Sequence, residues 1–318
     1  MWKKPWSMKE GFAIGAAIIA VGIMLQLAFG PIEWSLCRWP VNIALLAAFV
    51  LTIVTIHSTK ESLYAWRFLS TPKAAVPALA CARGLTVVMG LIRQTPDGTW
   101  LHGMLTFWPF VLAYVYMTLI VGLVAMKQIS RIANRHATRA TYTSLVSHIG
   151  LFIALTTATL GNGDMRRMKM ITAVGETEWR AIDDNHAVAE LPIAIELERF
   201  IMEKYDDGSP KRFASDIHIT TKSGKDLRTT VDVNKPAEVE GWKIYQYSYD
   251  TEAGEKSKIS IFEIVKDPWL PAVYTGIYMM IAGTILMFAS GVRRRNNDND
   301  RPRESAIPTA REGSSEEQ

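Results

Sequence analysis

Ionisable side chains inside long apolar runs are the residues of this sequence whose type and position could do chemistry. A charged side chain at the centre of a membrane costs about 2.5–3.5 kcal/mol on insertion scales, so the few that occur there usually serve a function. Arg83 and His148 lie inside such runs, and His57 and His102 lie at the ends of others. A neutral imidazole can ligate a metal ion, and a guanidinium can hold a carboxylate.

His148 is nine residues past Arg139, or about 13 Å along a helix that rises about 1.5 Å per residue. Arg139 belongs to a basic cluster of the kind that membrane proteins keep on the cytoplasmic side, which places His148 in the inner half of the membrane. Helical spacing gives its face a mildly polar stripe: Thr141, Ser144, Leu155 and Thr159. Two interpretations stay open here, a ligand of iron or a histidine hydrogen-bonded to a neighbouring helix for packing.

The other candidates have similar alternatives. His57 is next to a basic loop, where solvation at the interface explains it, and His102 lies among tryptophans of an aromatic belt. Arg83 either pairs with a carboxylate of a ligand or partner helix or marks a tilted helix buried in protein. No pair of histidines has metal-site spacing, and we find no nucleophile triad or phosphate-binding glycine loop.

The runs that carry these residues define the class of protein. The chain has 318 residues, of which 49% are hydrophobic and 21% charged. Five runs lack Asp, Glu, Lys and Arg and are long enough for the helix of roughly 20 residues that a bilayer requires: 11–32, 39–56, 103–126, 140–163 and 268–292. An integral membrane protein is therefore predicted, and a soluble single-domain enzyme is excluded. Two cysteines, Cys37 and Cys81, are too few and too far apart for a disulfide framework.

Charge and parity add a sixth span. Basic clusters at 3–9, 127–139 and 293–295 are expected in the cytoplasm, together with both termini, so the number of crossings must be even. The segment 74–92 must then cross the membrane despite Arg83. The first run follows three lysines without a small-residue cleavage site, which predicts a retained anchor.

The remaining segments are polar. Residues 164–267 alternate Val, Ile, Thr and Tyr between turn formers, which predicts a β-rich extracytoplasmic domain between the fifth and sixth spans, with one short helix or strand near 193–205. The chain thus divides into two N-terminal helices (1–59), core spans at about 74–93, 103–126 and 141–161 (within 60–163), the β-rich domain (164–267), a last helix (268–292) and a disordered cytoplasmic tail (293–318).

Several segments resemble the ResB (CcsB) family of system II cytochrome c biogenesis proteins, over about 64–287. Residues 66–94 (WRFLSTPKAAVPALACARGLTVVMGLIRQ) are similar to the first core span, 105–129 to the second, and 147–161, which begins SHIGL, to the third. The most specific similarity is VNKP at 233–236 followed by GWKIYQYSY at 241–249. Physically, these motifs are a strand-ending turn and a packed strand, so they mark a fold more than a site.

The resemblance implies a bacterial inner (plasma) membrane protein that receives haem b on the cytoplasmic side. With a CcsA-like partner it would pass the haem across the membrane for attachment to the CxxCH of apocytochrome c. The family's histidine in the third core span, an axial haem ligand, corresponds to His148. The chain would be a non-catalytic or co-catalytic subunit of the haem lyase, and its catalytic residues stay unassigned.

Two departures from the family pattern leave alternatives. The helices of 1–59 are additional, and Arg83 is unexpected in the first core span, where it would contact a haem propionate or another helix. One rival function is a b-type respiratory subunit in which His57 and His148 hold haem for electron transfer. Another is a haem-free scaffold of the synthase.

Overall fold

The computed structural model describes residues 4–95, 98–183 and 186–299. Within these ranges six helices are long and apolar enough to cross a membrane, which confirms the predicted number, including the helix that carries Arg83. They are α1 Met8–Phe29, α2 Val41–Thr59, α4 Pro72–Leu91, α5 Trp108–Ala133, α6 Arg139–Gly161 and α7 Leu270–Asn299, and the short α3 Tyr64–Leu69 lies between α2 and α4.

The ends of two helices differ from the prediction. α5 begins at Trp108 instead of residue 103 and continues beyond Lys127 and Arg131 to Ala133. α7 continues to Asn299, so residues 293–299 are helical where a disordered tail was predicted, and the rest of that tail, 300–318, lies outside the described residues. The physical reason is that lysine and arginine are good helix formers and favourable at a helix C-terminus, so a helix does not end where the apolar run ends.

Local capping explains where several helices begin. Ser7 and Glu10 form a capping box at α1, in which the Ser7 side chain accepts from the N–H of Lys9 and the Glu10 carboxylate accepts from the N–H of Ser7. Thr138 caps α6. Asp267 caps α7 by accepting from the N–H groups of Trp269, directly before the helix, and of Leu270, its first residue, at 2.9 and 3.1 Å.

α5 is the central helix of the membrane part. Its side chains form a buried cluster with α1, α2, α3 and α4, and α6 packs on another side of it. α6 and α7 approach each other closely through glycines, because a Cβ at Gly150 would lie 2.6 Å from the carbonyl of Gly276. Small residues at such contacts are the usual means of packing membrane helices.

The polar segment after α6 forms one antiparallel sheet of eight strands, as the alternating pattern predicts. The strands are β1 Arg166–Ala173, β2 Thr177–Asp183, β3 Val188–Lys204, β4 Pro210–Thr221, β5 Asp226–Asp232, β6 Ala237–Val239, β7 Trp242–Tyr249 and β8 Ile259–Lys266. Their order is β5-β4-β3-β2-β1-β8-β7-β6. The segment near 193–205, predicted as a short helix or strand, is the greater part of the long β3.

The sheet curls so that its two ends share a core. β4 and β5 contact β7, and a single cluster of buried apolar side chains includes residues from both halves, such as Ile217 of β4 and Phe262 of β8. β3 bends where its register shifts between Leu197 and Arg199, which helps the curl. The strands attached to membrane helices, β1 after α6 and β8 before α7, are adjacent at the centre of the sheet.

Candidate functional site

His148 occupies the middle of α6 and is half-buried. Its Nδ1 lies 2.7 Å from the backbone carbonyl of Ser144, one helical turn earlier. A carbonyl oxygen only accepts, so Nδ1 carries the proton and donates. In the neutral imidazole, Nε2 then holds the lone pair. We find no hydrogen bond to Nε2 within the described residues, so this nitrogen is available to a ligand.

A second polar layer connects α6 to α5. The Ser144 hydroxyl lies 3.3 Å from His148 Nδ1 and accepts a hydrogen bond of 3.3 Å from the Gln128 amide of α5. The Gln128 carbonyl oxygen is buried and has no hydrogen-bond partner within the described part of the chain. Gln128, Ser144 and His148 are therefore one polar cluster, which we call the α5–α6 cluster. The sequence indicated Ser144 by helical spacing, but Gln128 could be found only from the packing of the two helices.

The face of α6 that carries His148 leads to a cavity. Leu155 and Thr159, predicted to share that face, line an apolar cavity of about 400 Å³ between α2, α5 and α6. Phe152, one turn beyond His148, stacks parallel to Phe49 of α2 with ring centroids 6.1 Å apart. Phe49 also lines the cavity, whereas His148 itself does not, so the cavity lies further along α6 than the α5–α6 cluster.

His57 lies on a different side of α5. Its Nε2 is 2.8 Å from the Ser130 hydroxyl, and its Nδ1 is buried without a hydrogen-bond partner among the residues that the structure describes. Ser130 and Gln128 are two residues apart, which is about 200° around a helix. His57 and the α5–α6 cluster therefore contact opposite sides of α5, and the structure does not bring His57 and His148 to a common centre.

Arg83 projects from the middle of α4 away from the other helices. α4 packs on α1 and α5 through buried alanines, whereas Arg83 is exposed between the exposed side chains of Leu79 and Val87. We find no hydrogen bond or ion pair of its guanidinium within residues 4–95, 98–183 and 186–299. α6 packs on α5 and α7, so Arg83 and His148 belong to different faces of the helix bundle.

Two histidines outside the spans, His102 and His218, have hydrogen-bond partners close by. Nδ1 of His102 lies 2.9 Å from the carbonyl of Arg93, in a loop before α5. His218 of β4 lies between Asp226, 2.9 Å away, and Glu196, 3.4 Å away. The hydrogen bond to Asp226 is the main reason why the pKa of His218 is raised above its usual value. These contacts explain both side chains without a metal ion, and no group of three metal-ligating side chains occurs among the described residues.

Asp164 is a structural centre that the sequence did not reveal. Its carboxylate accepts hydrogen bonds from the backbone N–H of Trp39 (2.8 Å), the Asn42 amide (2.7 Å) and the Trp269 indole (2.7 Å). Burial acts to raise the pKa of Asp164, but these hydrogen bonds and the charge of Arg38 together hold it below its usual value. The only signal in the sequence was an acidic residue directly after a span.

Part of the chain is similar to known proteins. Residues 127–261 match the model of the ResB-like family. A cytochrome c biogenesis protein CcsB of Prochlorococcus marinus subsp. pastoris is 28% identical over 119 residues, which are 37% of this chain and 27% of the relative. The chain thus aligns with only about a quarter of that relative's length.

A solved structure of a cytochrome c haem lyase CcmF aligns with 89% of this chain and 46% of its own, at 13% identity and a TM-score of 0.35. That score is too low to support a conclusion about fold or function. The family match confirms the ResB-like resemblance over 127–261, a narrower range than the sequence motifs indicated. This range contains α6 with His148 and the sheet up to the first residues of β8, and it excludes α4 with Arg83.

Proposed function

We propose that this ResB-like chain takes part in cytochrome c maturation as a membrane subunit that binds haem b as cargo through His148. The observation that carries the proposal is the fixed ring of His148, whose Nδ1 donates to the carbonyl of Ser144 and leaves Nε2 free. A histidine that ligates a metal almost always donates its other N–H in this manner, which sets the tautomer and raises the basicity of the ligating nitrogen.

The surroundings of His148 fit a haem group. Phe152, one turn beyond His148 on α6, stacks on Phe49 of α2, and such aromatic side chains would suit the apolar face of a porphyrin. Iron would be held by Nε2 on one side. Gln128 and Ser144 would then act as positioning residues that keep the imidazole in place from the α5 side.

The second axial ligand comes from a partner, in our proposal a CcsA-like membrane protein. Among the described residues, His57 is the only other histidine within a helix long and apolar enough to span a membrane, and it contacts the opposite side of α5. Arg83 also needs a partner, because an exposed cation in the middle of a span is costly without a counter-charge. A haem propionate held at the interface with the partner, or a carboxylate of the partner, would supply that charge.

The topology follows from charge. With the basic clusters in the cytoplasm, the termini lie there as well, and the eight-stranded sheet lies outside the bacterial inner membrane. The sheet would dock the partner or the apocytochrome c whose CxxCH receives the haem. Thioether formation belongs to the whole complex, in which this chain is a non-catalytic or co-catalytic subunit of the lyase.

Replacing His148 tests the proposal. The complex of the chain with a CcsA-like partner is purified with His148→Gly, and its haem content is measured from the Soret band. We expect the haem to be lost and to return when imidazole is added, since free imidazole can occupy the space of the missing side chain. His57→Gly is the matched control and should keep its haem. Unchanged haem in His148→Gly would overturn the ligand assignment and favour the haem-free scaffold.

The same variants distinguish the b-type subunit. That function requires redox-active haem in the chain expressed alone, and it predicts equal loss of haem in His57→Gly and His148→Gly. The positions of the two histidines on opposite sides of α5 disfavour it.

For Arg83, we expect Arg83→Leu to leave the isolated chain folded and to reduce haem content and maturation of a CxxCH reporter in the complex. Normal values of both would show that Arg83 is not part of the site.

A further inference from the structure

A second cavity lies where the sheet meets the membrane helices. It has a volume of about 550 Å³ and is lined by the aromatic rings of Trp39, Trp242 and Trp269 and by the side chains of Arg166 and Lys266. Trp39 lies two residues before α2, and Trp269 directly precedes α7. The cavity is therefore at the level where spans end, which is the depth of lipid headgroups and of the tryptophan belts of membrane proteins.

Arg166 and Lys266 occupy directly opposite positions on the neighbouring strands β1 and β8. Opposite residues of an antiparallel pair point to the same face of the sheet, and like charges at such positions are destabilising. Trp242 is opposite Lys266 on the other side, and the Lys266 ammonium lies 4.9 Å from the centre of its ring. Two cations and an indole thus form one row across three strands.

The acidic residues nearby are engaged elsewhere. Asp164, which also lines the cavity, accepts hydrogen bonds from Trp39, Asn42 and Trp269, and Arg38 is the cation that contributes to its lowered pKa. Asp267 caps α7. We find no ion pair of Arg166 or Lys266 within the described ranges of the chain.

Arg167, next to Arg166 in β1, differs from it because its charge is paired within the chain. It points to the other face of β1, where it forms an ion pair of 3.4 Å with Glu263, its diagonal neighbour on β8. Arg167 is compensated within the chain, and the pair of cations in the cavity is not. An anion from outside would remove the repulsion between Arg166 and Lys266.

We propose that Arg166, Lys266 and Trp242 bind the phosphate of an anionic phospholipid headgroup in this cavity. The ligand chemistry is a phosphate oxygen held by two cations, with the glycerol and upper acyl carbons against the tryptophan rings. A lipid is favoured over free phosphate because the cavity is at headgroup depth, where lipid is abundant, and because three tryptophans are among its seven lining residues. The site connects the ends of β1 and β8 that lie nearest the spans to the membrane surface, and it is independent of haem.

The test compares three full-length proteins in nanodiscs of mixed phosphatidylglycerol and phosphatidylcholine: wild type, Arg166→Gln/Lys266→Gln and Arg167→Gln. Arg167→Gln also removes a positive charge from β1, but on the other face, so it is the matched control. Native mass spectrometry counts the phosphatidylglycerol molecules that each chain retains, and thermal unfolding measures the stabilisation that this lipid provides over phosphatidylcholine alone.

We expect wild type and Arg167→Gln to retain one phosphatidylglycerol more than Arg166→Gln/Lys266→Gln, and only these two to be stabilised by it. Removing one of two like charges should not impair folding, and the single variant Arg166→Gln, at an exposed residue, gives the same comparison if the double variant does not fold. Equal retention by all three proteins, or equal retention of phosphatidylcholine, would overturn the proposal.

Inorganic phosphate is added to lipid-free protein in detergent as a further arm. Stabilisation there with the same dependence on Arg166 and Lys266 would assign the site to free phosphate instead of lipid.

Discussion

The carboxylate of Asp164 accepts a hydrogen bond of 2.7 Å from the indole nitrogen of Trp269, which joins the end of α6 to the beginning of α7. The same oxygen accepts from the amide of Asn42, a fully buried residue in the first turn of α2. One side chain thus connects three membrane helices at the level where the sheet begins.

Replacing Asp164 by Asn should destabilise the protein by about 1–3 kcal/mol, the usual cost of leaving buried donors unpaired. Donors approach both carboxylate oxygens, so the amide group of an asparagine would face at least one of them. Thermal unfolding in detergent at neutral pH measures the effect. Asp207→Asn is the control, since Asp207 lies in an exposed turn where one oxygen accepts both hydrogen bonds from Ser209. Equal stability of both variants would contradict the role of Asp164.

The Asp164 effect should also depend on pH. The pKa of Asp164 is lower in the folded protein than the ordinary value of about 3.9. Its contribution is therefore complete above that value and is lost as the pH falls through the folded pKa. We expect the difference in unfolding temperature between wild type and Asp164→Asn to be constant from neutral pH to about pH 5 and to shrink at lower pH.

Gly150→Ala should disturb the contact of α6 with α7. A methyl group there would lie 2.6 Å from backbone atoms of Gly276 and Met280, which cannot move aside as a flexible side chain can. Overpacking of this kind costs about 1–3 kcal/mol. Gly84→Ala is the matched control, because a methyl group at Gly84 of α4 would meet no atom within 4 Å. Unfolding of both variants in detergent should show a loss for Gly150→Ala and no loss for Gly84→Ala.

Gln246, in the GWKIYQYSY motif at 241–249, should be a structural residue of the sheet. It is buried, accepts from the hydroxyl of Ser215 on β4 at 2.7 Å and donates to the carbonyl of Ser248 at 2.8 Å. Gln246→Leu would remove both hydrogen bonds, leave the Ser248 carbonyl without this donor and lower stability by about 1–3 kcal/mol. Tyr247→Phe, on the neighbouring exposed position, should have little effect. A stable Gln246→Leu protein with impaired haem binding would instead make the motif part of a site.

His218 should stabilise the sheet at mildly acidic pH. Its pKa is raised by the hydrogen bond to Asp226, so its contribution is complete below the unfolded value of about 6.5 and is lost as the pH rises through the folded pKa. The difference in unfolding temperature between wild type and Asp226→Asn should accordingly be largest near pH 6 and should shrink as the pH rises through the folded pKa. Glu198→Gln is the control, because it breaks an ion pair between Glu198 of β3 and Arg228 of β5. It should show no such dependence across this range.

The sequence predicted the number of spans, and it predicted that His148 lies inside one of them, because hydropathy along the chain indicates both. Charge parity required a crossing at 74–92, and α4 Pro72–Leu91 is there. Residues 216–221 and 259–264 are rich in isoleucine and other β-branched or aromatic side chains and lie within β4 and β8. Helix ends were less accurate, since a run without charges does not register that Lys127 and Arg131 continue α5.

The partners of the predicted residues could not be found in the same way. Gln128 approaches Ser144, and Asp164 approaches Trp269, across 16 and 105 residues of chain respectively. Such contacts depend on how helices pack in three dimensions, which spacing along the chain does not encode. The opposed cations Arg166 and Lys266 likewise depend on the register of β1 with β8.

The adjacency of β1 and β8 at the centre of the sheet has a mechanical consequence. α6 continues into β1 and β8 continues into α7, and both the strands and the helices of these two pairs contact each other along their lengths. Two segments of the chain therefore run side by side from the sheet into the helices. Their short connections, 162–165 and 267–269, are joined by the hydrogen bond from Trp269 to Asp164. Any displacement of the sheet would therefore move α6 and α7 together, and α6 is the helix that carries His148.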